Sequence, residues 1–352
     1  VVFLKMAGSK IKKTPEEIRE IILDELKDGP TTVTEISEQV SSNWITIEDY
    51  LKKLKEDGLV IEIISSPKIK IYRRTDDLAF YGLPFPKKIR DDSFALLCKI
   101  AKMWKEEDEG KAPSRTILQK VAVKFIDESD EKINIPVLKF HYGQTLALRY
   151  DEQFENECKD FDLSSSQKSH LLGLIRKYKK WSSNEVKLDQ YKKEEMIFYK
   201  TKEELLEAFS NEENRDEIIK KILELSVYYP SELEETYKIF DKFEYCSINI
   251  LNIQIPELRK EYIQKLKEIF SLIWDSITTS YFFYESENYI EDNKKELFNY
   301  IKLNTMNVKI SNVVPSIEDL KSEIDSIPEE EIDMEMSEKS EELLSMLLNG
   351  LD

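Results

Sequence analysis

Over the first sixty residues, apolar side chains recur three and four positions apart, and then the pattern switches to alternation. Ile18, Ile21, Ile22, Leu23 and Leu26 fall on one face of a helix. Its start is written in Thr14-Pro15-Glu16-Glu17. A threonine can cap the first turn, proline suits the first helical position, and two acids meet the positive end of the dipole. Glu17 stands three residues after Thr14, which completes a capping box, and Gly29-Pro30 stops the helix. A second, shorter helix over Val33 to Val40 buries Val33, Ile36 and Val40. A third seats Ile47, Leu51 and Leu54 on the first two and ends at Gly58. The β-branched runs LVIEII and KIKIYRR follow, separated by the turn SSPK, and read as two strands. In the second run Ile69 and Ile71 alternate with Lys68 and Lys70, which places the lysines on the open face.

Three helices followed by a two-stranded ribbon predict a winged helix-turn-helix over about residues 14–75. The stretches TVTEISEQV and ITIEDYLKKLKEDGLV carry a further likeness. Through them the chain resembles the winged helix-turn-helix DNA-binding family of archaeal and bacterial transcription regulators. The resemblance implies that the front of the third helix enters the major groove of duplex DNA while the wing follows phosphates. Asn43 and Thr46 are then placed to hydrogen-bond base edges, and Trp44 to pack on a thymine methyl or a sugar, with Tyr50 beside them. Lys52, Lys53 and Lys55 lie further along the helix, and Lys68, Lys70, Arg73 and Arg74 of the wing would touch the backbone. Glu48 and Asp49 argue the other way. An acid at the front of that helix repels phosphate unless it accepts from cytosine, and winged helices also dock proteins.

Beyond a connector at 76–92, rich in aromatic residues and proline, the periodicity is helical almost throughout 93–312. Helices are expected at about 93–108, 114–128, 165–182, 185–211, 213–228, 231–243, 256–284 and 287–303, with a break at INIPVLKFHYGQTLALRYD. The pieces ILQKVAVKF and FHYGQTLALRYD, within 114–150, are faintly similar to a helical antitoxin-type domain, although Gln144 stands where that family has proline. No functional residue is carried over on that likeness, and His141 and Tyr142 are read as packed structural residues. Residues 313–337 mix proline, acids and isolated aliphatics and are expected to be a disordered acidic linker. After it, 338–352 reads as an amphipathic helix. Leu343, Leu344, Leu347, Leu348 and Leu351 form the face that would dock in a partner's groove, on a dimer mate or on the chain's own domain. The fold class is therefore mainly α: a winged helix, a large helical domain for sensing or oligomerisation, and an acidic tail.

Charge sharpens this picture. The chain carries a formal −18, which opposes association with a polyanion. Residues 1–90 nonetheless hold 16 cationic against 15 anionic side chains, whereas 313–352 hold 2 against 13. The N-terminal segment is the part that DNA can approach at low cost. Other chemistries find little footing. Cys98, Cys158 and Cys246 are far apart and the chain has two histidines, so neither zinc nor a disulfide framework is expected, and the cysteines are read as buried thiols. The 8 glycines form no phosphate-cradling loop. No apolar run reaches the roughly 18 residues that span a membrane. The expectation is a non-enzymatic, cofactor-free, cytoplasmic and nucleoid-associated regulator that binds duplex DNA, working as a homo-oligomer or with a protein partner. The competing reading is an adaptor or architectural subunit of a DNA-processing or segregation complex, in which the winged helix and the terminal helix bind proteins.

Overall fold

The computed structural model describes residues 13–66, 69–153, 158–210, 214–333 and 345–346. The leucines at 343, 344, 347, 348 and 351, and Lys68 of the wing, lie outside them. The chain divides into two compact units, one ending at Lys87 but rejoined by Ile290–Ile301, the other built from Lys88–Tyr289 and the chain from Lys302 onward.

In the first unit, α1 (Pro15–Glu25) starts with the capping box read from the sequence. Thr14 Oγ1 accepts from the Glu17 amide at 3.2 Å, and Glu17 Oε2 accepts from the Thr14 amide at 2.7 Å. The short strand β1 (Thr31–Thr32) runs directly into α2 (Val33–Val40), where Thr32 and Glu35 repeat the same reciprocal cap. Next come α3 (Trp44–Glu56), β2 (Val60–Ser65) and β3 (Lys70–Arg74). The sheet is antiparallel in the order β1-β3-β2, with an irregularity between Glu62 and Ile64. Ile22, Leu26, Ile36, Val40, Ile47, Leu51, Leu54, Val60 and Tyr72 make one closed core. The connector is packed as its composition suggests, with Ala79, Leu83 and Phe85 buried. Gly82 takes a positive φ of 64°, and a Cβ there would stand 2.6 Å from Arg73 Cδ, so glycine lets the arginine stem lie against the backbone.

The second unit holds two cores. One is formed by α4 (Lys87–Glu107), α5 (Arg115–Glu128), α6 (Ser165–Tyr178) and α7 (Ser183–Gln190), together with residues flanking and within a hairpin, β4 (Val137–Phe140) and β5 (Gly143–Leu146). The hairpin occupies the expected break in helicity. Two neighbours on α5 fasten it: Gln119 accepts from the Leu146 amide and the Thr145 hydroxyl at 3.0 Å, and Lys120 Nζ donates to the Tyr142 and Gln144 carbonyls. At its turn, His141 Nδ1 lies 2.9 Å from Thr278 Oγ1 and Nε2 lies 3.1 Å from Asp275. The other core joins α8 (Ile197–Ala208), α9 (Arg215–Val227), α10 (Glu234–Leu251), α11 (Pro256–Glu287) and the later turns of α12 (Lys295–Asp325), whose residues up to Ile301 belong to the first unit.

Three expectations are corrected. The helix expected over 185–211 is broken between Gln190 and Ile197, where extended backbone at Lys193 lets Tyr191 and Met196 both point into the core. The disordered linker expected from 313 is instead the C-terminal part of α12 as far as Asp325, because Val313, Ile317, Leu320 and Ile324 recur at helical spacing and are all buried. Pro315 sits inside that helix on its exposed side. The chain continues to an isolated bridge between Ile332 and Ile253. Lastly, Cys98 and Cys158 form a disulfide, while Cys246 is a free buried thiol. A sequence separation of 60 hid the pairing, which depends on where α4 and the loop before α6 meet.

Candidate nucleic-acid interface

The helix α3 is oriented by its own first turn. Asn43 is its N-cap, and Asn43 Oδ1 accepts from the Thr46 amide at 2.8 Å, so only the amide nitrogen of that side chain is left for an outside acceptor. Ile47, Leu51 and Leu54 turn into the core, and the opposite face, with Ile45, Asp49, Lys52 and Lys53, is exposed. Ile45 is 69% exposed, the fullest exposure of any large apolar side chain among the described residues of this unit. Thr46 and Tyr50 are half-buried, and Lys53 Nζ lies 5.9 Å from the centre of the Tyr50 ring.

Between this helix and the wing, the charges are mostly settled internally. Glu48 is buried and accepts from Lys70 of β3, with Lys52 at 3.3 Å. The Lys70 hydrogen bond holds the Glu48 carboxyl below its usual value, and Glu48 in turn raises the lysine. Lys70 Nζ also stands 5.8 Å over the Trp44 ring. Lys55 pairs with Glu62 at 2.8 Å. Burial pushes the Glu62 carboxyl up, but the lysine outweighs it, so the group ends below its ordinary value. Arg74 Nε donates to Asp76 at 2.7 Å, and Arg73 Nη1 to the Asp77 carbonyl at 3.4 Å. In register, Arg73 and Arg74 stand opposite Ile61 and Val60 at the base of the ribbon, away from its turn. Burial pushes the phenol of Tyr72, beneath the same strand, up to about 12.

The structure therefore gathers Trp44, Glu48, Lys52 and Lys70 into one group. It leaves Asn43 and Lys53 on the open helix face, and it separates Arg73 and Arg74 from both. The sequence reading missed Glu48 as the anchor of Lys70. Its spacing carried a signal, because a residue one turn after Trp44 faces the same side as Trp44.

A second group could not be read from the sequence. In the first unit, Asn293, Glu296, Leu297 and Tyr300 line a cavity of about 290 Å³ together with Thr32–Glu35, Trp44, Ile69 and Lys70. Lys294 Nζ reaches Glu35 Oε1 at 2.9 Å. Burial would raise the Glu35 carboxyl, yet the Thr32 amide and Lys294 bring it below its ordinary value.

Set against protein-family models, residues 16–62 match the one described as bacterial regulatory protein, arsR family. Helices and first wing strand coincide with that span. The segment is a winged helix-turn-helix DNA-binding domain. The match ends inside β2, and the returning strand β3 completes the wing of this arsR-type domain. No curated protein and no solved structure matches the chain. Among the described residues, no helix is long and apolar enough to cross a membrane, and no group of three or more His, Cys, Asp or Glu is arranged to hold a metal ion.

Proposed function

We propose that the chain is a sequence-specific DNA-binding transcription regulator whose arsR-type domain meets duplex DNA through the open face of α3. The observation that carries this is the exposure of Asn43, Ile45, Asp49, Lys52 and Lys53 on the recognition helix of a domain matched by a regulator family. In this reading the Asn43 amide nitrogen and the Thr46 hydroxyl meet acceptors on base edges, and Ile45 packs on a thymine methyl. Lys52 and Lys53 supply phosphate attachment, and Trp44 and Lys70 join them at the near edge of the wing. With Lys70, Arg73 and Arg74 all engaged inside the domain, attachment is weak for one copy. The helical unit is accordingly read as the part that dimerises, senses an effector or holds a partner, so that two domains act on one site.

Titration of a fluorescent mixed-sequence duplex at low and moderate salt tests this. Few free cations predict a slope of log K on log[salt] of about −2 to −4, and Lys53→Ala should make it shallower by about one. Sequencing genomic fragments retained by the full chain should then show enrichment of particular sites. A flat profile, or no binding at low salt, sinks the proposal.

The exposed Ile45 and the internally paired wing cations favour a second reading, in which the same face docks a protein. It predicts no duplex binding at any salt and loss of a protein contact in Ile45→Glu.

A further inference from the structure

When a helix lies in the major groove and a wing follows the neighbouring phosphates, one sugar–phosphate strand has to pass through the notch between them. In this protein the notch is bounded by Trp44 on the helix side, Ile69 and Lys70 on the wing side, and Thr32–Glu35 at its floor. It is not empty. Asn293, Glu296, Leu297 and Tyr300 line it from the opposite side, and Lys294 is tied to Glu35 at 2.9 Å. The segment groups with the first unit, and its Ile290, Leu297, Phe298 and Ile301 are all buried. What it brings to the notch is also wrong for DNA. Glu296 adds a carboxylate, Lys70 in the lining is already engaged by Glu48, and Lys294 beside it by Glu35.

We infer that Ile290–Ile301 is a built-in plug: it holds the arsR-type domain in a form that DNA cannot fully engage, and the Lys294–Glu35 pair is its latch. This rests on the DNA-binding reading of the domain. Duplex that finds the open face of α3 is held by that face alone until the plug leaves, and then gains the Trp44 and Lys70 side of the notch. The free energy that seats the plug is the same free energy by which DNA binding is weakened, since a contact made only in the closed form must be broken for the open one.

The test is Lys294→Glu in the full chain. The pair is partly exposed, so the substitution leaves the core intact, and it sets a carboxylate against Glu35 to open the latch. Judged by charge alone, replacing a cation with an anion weakens DNA binding. Release of the plug does the reverse, so the sign of the effect decides. The expected result is duplex binding tightened about fivefold or more, with faster amide exchange over 290–301 than in the unaltered chain. Equal or weaker binding in Lys294→Glu, when the unaltered chain binds, overturns the plug and leaves the DNA reading standing. Absence of binding in both at low salt overturns the DNA reading and the plug with it. As a second variant, Lys294→Gln breaks the latch without touching Glu35, which also caps α2. Binding tightened, by a smaller factor than in Lys294→Glu, supports the latch, and weakened or unchanged binding overturns it.

Discussion

Glu48 illustrates how a residue can count against a function in the sequence and serve the architecture in the fold. As a bare acid at the front of α3 it would repel phosphate. In place it is buried, bonded to Lys70 and approached by Lys52, so it ties the recognition helix to the wing. Its carboxyl titrates below the ordinary value. The stabilisation is therefore complete above the unfolded carboxyl's value of 4.5 and is lost as pH falls through the lower, folded one. Glu48→Gln should cost the domain about 1 kcal/mol at neutral pH and flatten its acid sensitivity, as read by urea unfolding at pH 7 and pH 4. An unchanged midpoint at pH 7 would mean that the tie does not form. Lys120 has the opposite sign. Burial lowers its amine from 10.5 to about 7 beneath the β4–β5 hairpin. Between those values the unfolded chain binds a proton that the folded chain does not, so this group makes stability rise with pH, by at most about 1.4 kcal/mol per unit. Lys120→Met should lose that slope between about pH 7 and 9, below the ordinary range of the tyrosines. Its overall stability should also drop, because the Tyr142 and Gln144 carbonyls lose their donor.

At the scale of elements, what the sequence disclosed is what local physics determines. The capping box at Thr14, the span of α2 and the stripe Ile47, Leu51 and Leu54 depend on residues within a few positions of one another, and each was legible. The strand β1 was not, because two threonines pair with Ile71 and Tyr72 only after the hairpin has formed. The same limit hid the notch-lining segment, since Lys294 meets a glutamate 259 positions earlier. The end of α12 failed for a different reason. Acids and Pro315 pointed to a linker, while the four buried aliphatics that decide the matter are spread over three turns. Its proline is tolerated because it interrupts one backbone bond on the solvent side and no packing. If α12 is structural to its end, Ile317→Ala should destabilise the helical unit by about 2–5 kcal/mol, and removal of 313–352 should leave that unit unable to fold. A truncated chain with an unchanged melting curve would return the segment to the status of a linker.

On the scale of the whole molecule, the three cysteines are distributed so that the two units can be told apart. Cys98, Cys158 and Cys246 all belong to the second unit, and the first unit contains none. The Cys98–Cys158 bond closes a long loop around the core of α4, α5 and α6. In the chain-entropy account, a loop of that length raises the free energy of the unfolded state by about 4 kcal/mol. Cys246 adds nothing to this: burial pushes its thiol up to about 11, which leaves it protonated and slow to react. A thiol reductant should consequently act on one part of the protein. Two transitions are expected in calorimetry if the units unfold separately, and reduction should lower the one that belongs to the helical unit by several degrees or more. The transition of the winged-helix unit, followed by loss of duplex binding on heating, should stay where it was. Cys98→Ala with Cys158→Ala should reproduce the reduced profile without reductant, and Cys246→Ala should not. If both transitions fall together on reduction, the units unfold as one and the thiols cannot separate them. If neither moves, the bond does not form, and the sequence reading of three free thiols was the right one.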